Sequence, residues 1–232
     1  MIKIKHTFIA YLLINLLSAC GGGSGNSGSG GGSNTGGEGG GSNGQYDLTE
    51  YLFDKSLNVT SATKSYPVAI YAKSTGDLSI RYTDKFEKTF DDTIYWTTDD
   101  VPSSTFVVTA TTIEETVHSA EDSPRTLKRF ADVGTKYMDA NADSGFFGIQ
   151  NARCTVIKHH DSIDLGTLTG TFTLVSGVYS DVLEINCVTG FVINNEVAEH
   201  TNLTHYFVRD IGLVFSEGTL ILFDEVYMVS EI

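Results

Sequence analysis

In MDANADSGFFGIQ, residues 138–150, oxygen-bearing side chains recur at every second position: Asp139, Asn141 and Asp143. Alternate oxygens can converge on a hard cation such as calcium, and a nearby glycine permits the turn that brings the backbone round. Here the glycine comes one place late, with Ser144 in its usual position, and Gln150 stands where a bidentate Glu would close the shell. The segment is therefore read as a weak calcium loop or, more simply, a polar turn between strands. His159-His160-Asp161 is a second group with ligand chemistry, but neighbours on a strand face opposite ways, so the two rings do not meet at one ion. His200 and His205, five apart, also have opposite parity, and each of these histidines is read as solvated. Tyr95 and Trp96 lie between Asp91-Asp92 and Asp99-Asp100 and must face opposite sides of a strand, which leaves one ring free to turn outward as a platform for a sugar. No nucleophile elbow, P-loop, H-E-x-x-H or C-x-x-C marks a catalytic centre, so no catalytic residue is assigned. Asp and Glu are plentiful enough to keep a carboxylate-based hydrolase open as the alternative.

The elements carrying these residues alternate with a period nearer two than 3.6. Residues 104–119, 170–177, 181–197 and 204–230 are rich in Val, Ile, Thr, Phe and Tyr, which suit a pleated, half-buried surface. Turn signals separate them at 74–77, at Ser176-Gly177 and at Glu217-Gly218, the last read as a two-residue hairpin loop. Asp47-Leu48-Thr49-Glu50 suggests one capped helical turn. An all-β body follows, antiparallel, of about nine to eleven strands, either a sandwich or a strongly curved sheet closing toward a barrel. In "IGLVFS", Ile211, Leu213 and Phe215 are assigned one face and Val214 the other, a strand covered on both sides. Cys154 and Cys187 each lie on the apolar parity of their strands. They form a disulfide if those strands are neighbours; a strand between them would hold them about 10 Å apart, as free thiols.

Ahead of this body, Lys3 and Lys5 precede ten residues, Phe8 to Leu17, that are apolar except for Asn15. That run is too short to cross a bilayer as a helix, which takes about 20 residues. It ends in Leu17-Ser18-Ala19-Cys20, and here the chain resembles a bacterial lipoprotein precursor. The resemblance implies a signal peptide over 1–19 and a diacylglyceryl, N-acylated Cys20 as the first mature residue. Two or more acyl chains would give stable anchoring. Gly21, rather than Asp, after the cysteine implies sorting to the outer membrane, on its periplasmic face or at the cell surface. Residues 21–44 hold 14 of the 24 glycines and a single charge, Glu38. Such a segment has nothing to bury and reads as a disordered tether with an end-to-end distance of about 25–30 Å. The run His205–Gly218 also resembles the aromatic pair and "[IV]-G-[LV]-V" stretch of uncharacterised secreted β-domains. That similarity transfers no functional residue.

Residues 45–232 form a single domain, long enough to bury roughly 70% of its unfolded surface. Without Lys3, Lys5 and Glu38, the 15 basic and 29 acidic residues become 13 and 28, a net charge of −15. This excess argues against nucleic acid and anionic lipid as partners. The sequence thus describes an outer-membrane lipoprotein whose β-domain is a non-catalytic binding or structural module, without a required cofactor beyond a candidate calcium. The alternatives are an envelope hydrolase, or a lipid carrier if the sheet encloses a cavity.

Overall fold

The computed structural model describes residues 45–58, 61–118, 122–143, 149–170, 174–194, 196–220 and 223–230. Residues 1–44, which include Cys20 and the segments expected to be a signal peptide and a tether, lie outside them. Period-two patterning produces strands β1 (Tyr46–Asp47), β2 (Thr63–Ala72), β3 (Leu78–Lys88), β4 (Thr93–Thr98), β5 (Val101–Val108), β6 (Thr112–Val117), β7 (Ser123–Lys128), β8 (Phe130–Ala131), β9 (Lys136–Asp143), β10 (Ile149–Asp164), β11 (Val178–Ile193), β12 (Glu196–Val208), β13 (Gly212–Leu220) and β14 (Phe223–Ser230). One helical turn, α1 (Thr49–Leu52), and two 3-10 turns, Lys55–Asn58 and Leu165–Thr169, complete the described elements.

Twelve strands form one antiparallel sheet in the order β7-β6-β5-β4-β3-β2-β14-β13-β12-β11-β10-β9, while β1 pairs with β8 alone. Two six-strand meanders are therefore joined by the β14–β2 ladder, from Val226↔Ala72 to Ser230↔Val68. The outer strands β7 and β9 approach within 8 Å at their Cα atoms without a hydrogen-bonded ladder, so the curved sheet is a partial barrel. The count exceeds the expected nine to eleven because short strands hide inside single apolar runs. Residues 104–119, for instance, hold parts of both β5 and β6, with a turn at 109–111.

Alternation sends Ile70, Ile94, Trp96, Phe106, Ile113, Met138, Ile185 and Phe207 inward, and Trp96 stacks on Phe86 with ring centres 5.9 Å apart. Each large apolar side chain contributes roughly 1.5–3 kcal/mol by leaving water. A second cluster lies outside the sheet, where Leu165 and Val175 cover Val182, Tyr206, Val214, Phe215, Tyr227 and Val229. The segment expected to be a strand at 170–177 instead bends across this wall at 174–177, and 171–173 lie outside the described residues. With no strand between them, β10 and β11 are neighbours and Cys154 pairs directly with Cys187. The two form a disulfide with Cα atoms 4.1 Å apart.

Two expectations about β13 are corrected. A register shift at Tyr206/Phe207 breaks strict alternation, so Leu213 packs on the interior cluster while Val214 and Phe215 join the outer one. Glu217-Gly218 is not a hairpin loop, since β13 runs through it to Leu220. Gly218 is required for another reason: its φ is +141°, and a Cβ there would stand 2.1 Å from the Asn202 carbonyl oxygen. A true two-residue turn is Asp99-Asp100, linking β4 to β5 with both φ values positive, at 48° and 63°.

Candidate functional site at the plugged end of the barrel

Residues 46–58 close one end of the barrel. Asp47 accepts from the Thr49 amide at 3.1 Å and its hydroxyl at 2.7 Å, one residue ahead of the expected helical turn, whose N-cap position is Leu48 and has no side-chain cap. Arg129 then grips the same carboxylate, Nη2 to Oδ2 at 2.7 Å. Leu48, Tyr51, Leu52, Phe53 and Leu57 enter the main core behind it. Gly212, whose φ of +99° disfavours any other residue, turns the chain into β13 beside the backbone of Leu52 and Phe53.

Asp181 fastens this plug to β11. Its Oδ1 accepts from the Tyr51 hydroxyl at 2.5 Å and meets His159 Nε2 at 2.9 Å, and its Oδ2 accepts from Arg209 Nη1 at 3.1 Å. Arg209 also pairs with Glu50 at 2.6 Å, and the His159 ring stacks on Tyr46 at 5.0 Å. Burial alone would raise the Asp181 pKa, but the bonds from Tyr51, His159 and Arg209 outweigh it and hold the carboxyl below its usual range. Asp181 takes φ +56° within its strand to reach all three. This arrangement is a latch that fastens the plug to β11 through Asp181 and Arg209.

Beneath the plug a cavity of about 30 Å³ is lined by Leu52, Phe53, Asp54, Leu57, Tyr66, Asp84 and neighbours. It has room for a water or so. Two carboxylates border it with opposite leanings. Burial pushes Asp84 up to about 6, despite donation from Thr98 Oγ1 at 2.6 Å and Trp96 Nε1 at 3.0 Å. Asp54 also feels burial, but the Ser56 amide at 2.7 Å and Lys64 at 3.2 Å outweigh it and keep its pKa low. An acid beside a base is a hydrolytic pattern. The space between them, however, is far below the roughly 300 Å³ of a ligand pocket.

The other sequence candidates are dispersed. Asp139, Asn141 and Asp143 lie on β9, a strand rather than a loop, which keeps Asp139 and Asp143 roughly 13 Å apart along the chain. Asp139 is bonded to Lys136 Nζ at 3.0 Å, and Asn141 Oδ1 accepts from Asn151 at 3.0 Å. Ser144 and Gly145, like the side chains of Asp143 and Gln150, lie outside the described residues, and no metal-binding group of three His, Cys, Asp or Glu occurs among those described. His159 and His160 do face opposite ways, His160 meeting Glu184 Oε2 at 2.9 Å. His205 is a correction: it is fully buried rather than solvated, with Nδ1 2.8 Å from Ser216 Oγ, and burial drops its pKa to about 3. The side chain of His200 lies outside the described residues. Trp96 is in the core, and Tyr95 is the ring that turns outward.

No protein-family model matches the sequence, and no curated protein does. Among solved structures, the crystal structure of a "putative lipoprotein" from Parabacteroides distasonis is similar over 78% of this chain and 97% of that one, at 10% identity and a TM-score of 0.44. Similarity that weak assigns no chemistry.

Proposed function

We propose that this chain is a lipoprotein of the bacterial outer membrane, acylated at Cys20, whose β-domain is a non-catalytic binding or structural module held off the bilayer by residues 21–44. The membrane assignment is supported by the order of basic, apolar and small residues before Cys20. The single observation favouring a module is the filled end of the barrel, where the space that Asp54 and Asp84 border beneath the plug is water-sized. An acyl chain needs several hundred Å³, so the same packing disfavours lipid carriage. The test is Cys20→Ser in cells fed labelled fatty acid. The variant should remain uncleaved and unlabelled and leave the outer-membrane fraction. Label retained by Cys20→Ser would sink the anchor.

The second reading, a hydrolase, draws on Asp54 and Asp84 as an ionised and a protonatable carboxyl on one cavity. It requires the plug to withdraw. Turnover of any envelope glycan or peptide that disappears in both Asp54→Asn and Asp84→Asn would establish it over the module.

A further inference from the structure

The outer wall formed by β2 to β6 differs from its counterpart. On β11–β14 the chain covers its own wall with Leu165 and Val175. That covered side reaches Tyr71 at the end of β2; on β4, farther round the wall, an aromatic ring is left in the open: Tyr95, 42% exposed. Register places Tyr95 between Glu87 on β3 and Thr105 on β5, while Val107, 43% exposed, is its diagonal neighbour through Thr93↔Val107. Lys85, opposite Thr97, is the other diagonal neighbour, and it is bonded to Glu87 at 3.3 Å. Such diagonal neighbours lie about 7–8 Å apart. At Lys85 the wall sinks into a depression of about 290 Å³ lined by Ser65, Thr83, Lys85, Asp99 and Asp100. Asp99 is fixed there by the Thr83 amide at 2.8 Å.

An exposed ring beside a shallow basin of hydroxyls, carboxylates and one ammonium matches an amphipathic, ring-shaped ligand. The apolar face of a pyranose stacks on a Tyr ring while its hydroxyls need both donors and acceptors at the edge. Two apolar side chains are far short of the roughly 1,200 Å² that a stable protein interface buries, which argues against a second copy. The net charge of −15 argues against a polyanion. We propose that Tyr95 and the adjoining depression form a binding site for a neutral glycan, with Tyr95 as the stacking platform and Ser65, Thr83, Lys85 and Asp100 as hydrogen-bonding partners. This rests on reading the domain as a binding module and names its ligand class.

The test titrates the full chain, in a polyoxyethylene detergent free of sugar, with chitohexaose, cellohexaose and maltohexaose, and with polygalacturonate as the anionic control. At least one neutral oligosaccharide should bind, and polygalacturonate should not. Tyr95→Ala should weaken binding about tenfold, the worth of one aromatic face, and Tyr95→Phe should retain it. Emission from Trp96, the one tryptophan, should stay unchanged in both variants and so show an intact core. Absence of binding by all three sugars at 10 mM (roughly the weakest affinity of use), or equal binding by Tyr95→Ala, would overturn the proposal. So would self-association of the chain that Tyr95→Ala abolishes, since the occupant would then be a second copy. Recovery of a shortened oligosaccharide would overturn the non-catalytic reading alone, and the site would stand if Tyr95→Ala still weakened binding.

Discussion

Glu115 and Arg125 face each other across β6 and β7 inside the barrel, with Nε 2.7 Å from Oε2 and neither side chain more than 4% exposed. Ser104 Oγ donates to the other carboxylate oxygen at 2.8 Å. Removing one partner leaves a charge buried without its counter-ion, which costs about 3–5 kcal/mol, whereas a matched apolar pair of similar volume is near neutral. Arg125→Met should therefore lose that much stability in urea unfolding. Arg125→Met with Glu115→Leu should recover most of it.

Asp84 should contribute stability in mild acid that is lost toward neutral pH. Its pKa is raised from 3.8 to about 6 by burial, so the folded state binds a proton more tightly than the unfolded state does. That stabilisation is complete below about pH 4 and is lost as pH rises through 6, on the order of 2–3 kcal/mol in all. Asp47, Asp54 and Asp181 act in the opposite sense, with pKa values lowered, and their contribution fades only as pH falls below the usual carboxylate range. Between pH 7 and pH 5 this gain is opposed by His205, whose pKa burial drops from 6.5 to about 3, so that acid favours the unfolded state there. The Asp84 contribution is therefore read as a difference: Asp84→Asn, which keeps an acceptor for Trp96 and Thr98, should be more stable than the unsubstituted protein at pH 7, and that advantage should shrink toward pH 5.

Peptide mapping without reductant should join Cys154 to Cys187. The bond spans 33 residues of sequence, for which loop closure gives about 3–4 kcal/mol. Cys154→Ala with Cys187→Ala should lower the unfolding free energy by that order, while far-ultraviolet circular dichroism of the folded protein stays unchanged.

Gly218→Ala should be among the most damaging single substitutions. The added methyl would overlap the Asn202 carbonyl of the paired strand, at a φ that L-residues avoid. A loss of about 3 kcal/mol or more is expected. Glu217→Ala, one residue away, should cost less, because it removes a partly exposed pair with Lys73 and a hydrogen bond with the Tyr206 hydroxyl and forces no backbone overlap.

The sequence carried the antiparallel β class and the inward parity of Cys154 and Cys187, because parity is local; the choice of a closing sheet over a sandwich, and the adjacency of β10 and β11 that lets the disulfide form, depend on strand order, which parity does not encode. Parity also held the placement of His205, which shares its face with Leu203 and Phe207 and is buried with them. A histidine there reads as polar only when taken out of that alternation. The Glu217-Gly218 signal misled because a glycine after a polar residue marks a tight turn and a close backbone approach alike, and only the position of Asn202 separates them. Asp139, Asn141 and Asp143 carry the same ambiguity of spacing, since i, i+2, i+4 describes one face of a strand as well as a cation loop; β9 reaches Asp143, and residues 144–148 lie outside those described. The Asp181 latch was beyond reach. Tyr51, His159 and Arg209 lie 130, 22 and 28 residues from it, and nothing local to any of them announces the others.

The ladder between β2 and β14 ties the first long strand to the last. Until residue 230 is available, β2 has only β3 beside it, and its other edge stands open as a template for any extended chain. Arg209 and Asp210, which hold Glu50 and Lys55 of the plug, and Gly212 beside it also follow β12. Closure of the sheet at β2 is therefore timed by delivery of β14. A chain emerging amino end first would keep that edge of β2 open until β14 follows, so holding partners and the speed of emergence, more than the strength of any one contact, govern how much of it reaches the closed form.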